Sequence, residues 1–355
     1  MGRRFACLAF TWEWPVESWE KRRYDVYGKI VGVPAISGTN GIARRPDGLR
    51  FLLRHSLASG SDFMKKFWWF CLFWMVNAFA AVTVTDDMGR SITLPKPAQR
   101  IISLAPHTTE LIYTIGAGSQ LAAVTSYSDY PAEAKRLPIV GDFRQIDLER
   151  VLAMKPDLLV VWQGGNPQKQ LERLKRAGIP VFYSDPRRLS DIPDNMVKLG
   201  ILTGHEVAAR KKAVQWTQAM NRLKKQYGKR SGVRVFYQVS DSPLFTLNGK
   251  HIVNEAISLC GGTNIFADLS IIAPNVSIES VIAKNPEVII SSKGLGTSNG
   301  LSMWKRFKTV DAVRYGNLFG INSDWMDRAG PRMLAGTEML CKKLEESRKN
   351  IRKFH

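Results

Sequence analysis

Short apolar runs alternate with helix-like stretches through most of the chain, and that rhythm breaks once. Arg100–Leu104, Leu121–Thr125, Leu158–Trp162 and Val181–Tyr183 read as buried strands. Thr108–Ile115, Asp147–Met154 and Pro167–Ala177 lie between them as helices; Gly116 stops the first, Asp147 caps the second and Gly178 closes the third. Strands that alternate with helices imply a parallel sheet covered on both faces. Asp191–Leu202 then predicts one helix. Glu206–Tyr227, rich in Ala, Lys, Arg and Gln, predicts a long second one with no strand between. The alternation resumes with strands at Val233–Val239 and Glu287–Ser291. Helices are expected at Ile252–Leu259, at Val276–Lys284 with Ser277 as cap, and from about Pro331 to Ser347. Ahead of all this, residues 82–95 alternate around Asp87-Met88-Gly89 as a hairpin. The expected fold is α/β: two Rossmann-like lobes with parallel central sheets, joined by a long rigid helix.

An internal echo supports two equivalent lobes. Leu148-Glu149-Arg150-Val151 through Lys155-Pro156-Asp157 to Val160 resembles Ile278-Glu279-Ser280-Val281 through Asn285-Pro286-Glu287 to Ile290. Each is a short helix, a Pro-acid turn and a buried strand, with a Glu at the same place.

The 355-residue chain is not all expected to belong to the folded product. Met64-Lys65-Lys66 precedes an apolar run, Phe67–Val76, and then Asn77-Ala78-Phe79-Ala80-Ala81. A positive start, an apolar run and an Ala-x-Ala site, in that order, make a secretory signal peptide. The run is shorter than the roughly 20 residues that span a membrane. Residues 1–63 are then an upstream extension from a wrongly assigned start, and 64–81 the signal. Residues 82–190 form the N-terminal lobe, 191–228 the linker helices and 229–355 the C-terminal lobe. The expected location is the periplasm. Cys260 and Cys341 are the two cysteines after the signal, and they fit one disulfide in an oxidising space. Cys71 is preceded by Trp-Trp-Phe rather than small residues, which argues against a lipid anchor. Residues 82–355 hold 39 basic and 25 acidic side chains, a formal charge of +14. No clustered basic and aromatic stripe accompanies it, so solubility or attraction to an anionic membrane is expected rather than nucleic-acid binding.

Enzyme motifs are lacking: there is no G-x-S-x-G elbow, P-loop or H-E-x-x-H. Gly294–Gly300 lacks dinucleotide spacing and reads as a loop. His107, His205, His251 and His355 do not pair at ligand spacing, so no metal site is expected, although His107 follows the first buried strand. Aromatic residues instead gather near strand ends: Tyr127, Tyr130, Phe143 and Trp162 in the first half, Phe245 and Trp325 in the second. Open α/β sheets bind ligands outside the carboxyl ends of their strands. Large apolar ligands need aromatic walls with a few polar groups, and Asp324 and Arg328 could supply the latter.

Several of these segments together resemble the cobalamin-binding proteins of periplasmic ABC import, a group within the helix-linked class of substrate-binding proteins. The resemblance covers nearly all of residues 98–345. It is carried by Ser126-Tyr127-Ser128-Asp129-Tyr130-Pro131, Leu148-Glu149-Arg150, Trp162-Gln163-Gly164-Gly165-Asn166, Cys260-Gly261-Gly262-Thr263-Asn264 and Ser323-Asp324-Trp325-Met326-Asp327-Arg328. It implies a non-enzymatic, monomeric protein that carries cobalamin or another corrinoid as ligand, with no cofactor, to an inner-membrane permease. Tyr127, Phe143 (where the family often has Trp), Trp162, Phe245, Asp324, Trp325 and Arg328 would line the cleft. Ala273 stands where close relatives have a ligand-contacting Trp. Glu149 and Glu279 match the docking glutamates that meet permease arginines, and Cys260 and Cys341 match the family's disulfide. A haem or ferric-siderophore ligand on the same fold is the alternative, and an exported enzyme with an unrecognised site is a third reading.

Overall fold

The computed structural model describes residues 81–292 and 300–354. The upstream extension, almost all of the signal segment, His355 and most of the Gly294–Gly300 loop lie outside the described residues.

The chain opens with the expected hairpin, β1 (Val82–Thr85) against β2 (Ser91–Leu94). Its turn is closed by Asp86, whose carboxylate accepts the Met88 and Arg90 amides at 2.9 and 2.8 Å. The first α/β half follows as β3 (Ile101–Ser103), α1 (Pro106–Thr114), β4 (Leu121–Val124), α2 (Leu148–Ala153), β5 (Leu158–Val161), α3 (Gln168–Arg176) and β6 (Val181–Tyr183). Two helices, α4 (Asp191–Thr203) and α5 (Glu206–Tyr227), come next. At 1.5 Å per residue, α5 is about 33 Å long. The second half holds β7 (Val233–Gln238), β8 (Ser240–Asp241), β9 (Leu244–Phe245), α6 (Ile252–Leu259), β10 (Gly262–Asn264), α7 (Ile278–Lys284), β11 (Val288–Ser291), α8 (Asp311–Arg314), β12 (Leu318–Gly320), α9 (Ser323–Met326) and α10 (Met333–Phe354).

Each half is built on a parallel four-stranded sheet, ordered β4-β3-β5-β6 in the first and β10-β7-β11-β12 in the second. The order is the same in both: each sheet's first strand in sequence lies between its second and third. The echo extends to atomic detail. Asp147 and Ser277 cap α2 and α7 through the Arg150 and Ser280 amides. Lys155 and Asn285 both turn the chain in the left-handed region, at φ 46° and 40°. Asp157 accepts the Arg100 amide, as Glu287 accepts that of Arg234. Arg100 and Arg234 in turn donate to the Met154 and Asn285 carbonyls at the ends of those helices.

Among the described residues, three apolar clusters form the core. One lies on one face of the first sheet, around Ile102, Leu159 and Val161. Another lies on one face of the second sheet, around Phe236, Ile289 and Trp304. The third is continuous from Leu158 and Phe182 through Leu199, Trp216 and Met220 to Val235, Ile290 and Leu340. It joins the remaining faces of both sheets through α4, α5 and α10.

Four strands were not expected: the two-residue pair β8 and β9, and β10 and β12 of the second sheet. β10 reads Gly-Thr-Asn and carries no apolar signal. Pairing with β7 makes it a strand, and a Cβ on Gly262 would come within 2.9 Å of side chains of Ile257, Leu344 and Val235. β12 reads Leu-Phe-Gly between Asn317 and Ile321, and pairing with β11 makes it a strand. The final helix runs seven residues beyond the expected Ser347. Arg348 explains this: its buried guanidinium donates to the carbonyls of Ser231, Cys260 and Gly261, which ties the extra turns to the lobe.

Cys260 and Cys341 form a disulfide across a sequence separation of 81, joining the end of α6 to α10. Closing a loop of that length stabilises a fold by about 4 kcal/mol in the chain-entropy account. A Cys260→Ser/Cys341→Ser variant is expected to lose about that much in urea unfolding. An unchanged midpoint would contradict the contribution.

Candidate ligand-binding site

The carboxyl ends of the first sheet present aromatic side chains to solvent. Tyr127 follows β4 with its backbone in the left-handed region, φ 67°, and is 68% exposed. Trp162 follows β5 and keeps 39% of its surface exposed despite three fixings. Its indole N–H donates to Asp185 at 3.0 Å, its backbone N–H donates to Asn166 at 2.7 Å, and the His107 ring meets it edge-on with centroids 5.9 Å apart. Gly165 is required beneath it, because a Cβ there would lie 1.9 Å from the indole. Asn166 also donates to the Leu104 carbonyl at 2.8 Å, tying the loop after β5 to that after β3. Phe143 is 54% exposed in a turn held by Asp142, which accepts the Arg144 and Gln145 amides and whose carboxyl those bonds hold below its ordinary range.

The second half contributes Phe245, half-buried on β9, and Trp325, half-buried on α9. Asp324 lies in the first turn of α9 and pairs with Arg328 at 2.8 Å. Arg328 reaches the first half as well, 3.0 Å from Asp129 and 3.3 Å from Glu110. Asp324 and Arg328 are thus brought to the loop that carries Tyr127 and Tyr130. Among the described residues no ring–ring contact joins Tyr127, Phe143, Trp162, Phe245 or Trp325 to one another.

His107 is buried, and that burial brings its imidazole down to about 4, against an upward pull from the Ser184 backbone, Asp185 and Asp87. It is therefore neutral at neutral pH. Among the described residues no group of three or more His, Cys, Asp or Glu side chains is placed to hold a metal ion. Glu149 and Glu279 stand exposed in the first turns of α2 and α7, at equivalent points of the two halves, and neither makes an ion pair among the described residues. An open depression of about 570 Å³ lies beside Glu149, lined also by Ser126, Asp142, Asp147 and Gln170.

Residues 101–324 match the periplasmic binding protein family. The chain belongs to that family. It is 42% identical over 254 residues to a vitamin B12-binding protein of Yersinia pestis (strain Pestoides F), a match covering 71% of this chain and 89% of that one. Among solved structures, the periplasmic vitamin B12 binding protein of Vibrio cholerae is 38% identical with a TM-score of 0.67, covering 71% of this chain and 99% of that one. A possible iron-binding periplasmic solute-binding protein of Staphylococcus epidermidis is 28% identical with a TM-score of 0.63, covering 70% and 99%. Periplasmic binding proteins capture a ligand and release it unchanged, so the chain is not an enzyme.

In this binding protein the residues that sequence reading passed over are charged ones at the junction of the halves: Glu110, Asp129 and Arg332. One signal was present. Glu110 is an acid within the otherwise uncharged Thr108–Ile115 helix.

A second histidine, the half-buried His251, is likewise brought down to about 4 by desolvation. Between about pH 4 and 6.5 both are neutral when folded and protonated when unfolded, so the unfolded chain binds more protons there. Stability is expected to rise with pH across this window and to fall on acidification, by up to roughly 3 kcal/mol per histidine. Urea unfolding at pH 7 and 4.5 tests this. A His107→Gln variant should show the shallower loss, and an equal loss would remove His107 from the account.

Proposed function

We propose that the protein binds cobalamin or a related corrinoid in the cleft between its two lobes and delivers it to the permease of an ABC importer. The observation that carries this reading is the match to the vitamin B12-binding proteins along almost the whole described chain, with aromatic faces left exposed at the strand tips. A corrin ring is broad and largely apolar, and its edge bears amides. Tyr127, Phe143 and Trp162 would provide one wall and Phe245 with Trp325 the other. Asp324 and Arg328 would bond to the amide rim. Ala273, where relatives carry Trp, removes one large contact and leaves room for a different lower face of the ligand. Neither a catalytic group nor a resident cofactor is part of this reading.

The division into residues 82–190, 191–228 and 229–355 provides two lobes and a connector of limited give. Export through the 64–81 signal would place the protein, as a monomer, in the periplasm. Glu149 and Glu279 would meet permease arginines as a two-point electrostatic key that orients the carrier over the pore. A haem or ferric-siderophore ligand is the competing reading. It would call for an axial Tyr or His, or for several unpaired cleft cations, whereas Arg328 is already paired with three carboxylates.

Titration calorimetry of residues 82–355 with cyanocobalamin, its base-free precursor and haem tests the ligand. Saturable one-to-one binding of a corrinoid is expected, and saturable binding of haem alone would overturn the reading. The Glu149→Lys/Glu279→Lys variant should retain its corrinoid affinity yet fail to support uptake in cells. Loss of affinity in that variant would count against a docking role.

A further inference from the structure

We propose that Glu110 and Arg332 are positioning residues for the cleft, a buried pair that sets how far apart the two aromatic walls stand. The inference rests on the cleft being the ligand site. Glu110 lies on α1, directly behind the first strand of the first sheet, and its side chain is 1% exposed. Its partners come from the other lobe. Arg332 donates from Nε to Oε2 at 2.9 Å and from Nη2 to Oε1 at 2.6 Å, a two-pronged arrangement that fixes direction as well as distance. Arg328 adds a third contact at 3.3 Å.

The segment from Arg328 to Arg332 is held on every side. The Arg332 guanidinium lies 4.3 Å from the Tyr130 ring centre, and Arg328 bonds Asp129, so both arginines grip the loop that bears Tyr127. Between them Gly330 lies against α1: a Cβ there would sit 3.3 Å from the His107 Cβ. His107 in turn buttresses Trp162. From behind, the indole of Trp216 on α5 donates to the Pro331 carbonyl at 3.0 Å. The connecting helix, the loop of Tyr127, the support of Trp162 and the second lobe therefore meet at one segment, and the only buried charge pair there is Glu110 with its arginines among the described residues. Helix α5 limits the path of the chain between lobes; the Glu110–Arg332 pair selects one lobe angle within that limit.

The test measures lobe geometry without any ligand. Spin labels at Lys169→Cys and Lys305→Cys, both exposed and one on each lobe, report the interlobe distance by pulsed electron paramagnetic resonance. In ligand-free protein Glu110→Gln should widen the distance distribution about twofold or more, and Arg332→Lys, which keeps the charge but loses the fork, should widen it less. Cyanocobalamin should leave Glu110→Gln at least about tenfold faster than wild type, as expected when a buried charge loses its partner. Should Glu110→Gln fail to fold, Arg332→Lys decides on the same two readouts. A lowered melting temperature with wild-type distance distribution and dissociation rate would show that the pair only stabilises the fold and would overturn the proposal. A widened distribution with no cobalamin binding by wild type would uphold the positioning role and remove the ligand assignment instead.

Discussion

Parallel sheets bury both faces, and two such sheets in one chain must each find cover on both sides. Here one face of each sheet has its own cluster, while the other faces share helices α4, α5 and α10 and a single apolar cluster that runs from one sheet to the other. Much of the architecture follows from that sharing. The lobes cannot swing far apart without opening a common core. What the core leaves free are the strand tips and their loops, where backbone is least constrained and large side chains can face water.

Electrostatics then divides the surface by role. Glu110, Asp129 and Asp324 meet Arg328 and Arg332 where the lobes join, and little of either arginine reaches solvent. Glu149 and Glu279 are exposed at the starts of two short helices. Charges of the first kind define geometry, since the loss of one partner strands another in a poorly solvated site. Charges of the second kind cost the fold little to keep. The same motif, helix then Pro-acid turn then strand, places a glutamate of the second kind on each lobe.

The fold was legible wherever a local rule acts alone. Asp147 and Ser277 cap the helices they were expected to cap, and the long α5 falls at the residues its composition indicated. Reading failed where a distant partner decides. Gly262-Thr263-Asn264 becomes a strand through β7 alone, and Arg348 extends the last helix because carbonyls some ninety residues away accept from it. The site divides in the same way. Tyr127, Phe143 and Trp162 could be picked out as aromatics beyond strand ends, and they stand exposed there. That Gly165 makes room for the Trp162 ring, or that Glu110 faces two arginines more than two hundred residues later, depends on tertiary neighbours that no spacing in the sequence reveals.

The central claim is that a corrinoid is held between two walls, one from each lobe, and a crystal structure of the protein with bound cyanocobalamin tests it most directly. The account predicts the corrin ring between Tyr127 and Trp162 on one side and Phe245 and Trp325 on the other, with amides of its rim at Asp324 or Arg328. A corrinoid seated on one lobe alone, touching neither Phe245 nor Trp325, would contradict it.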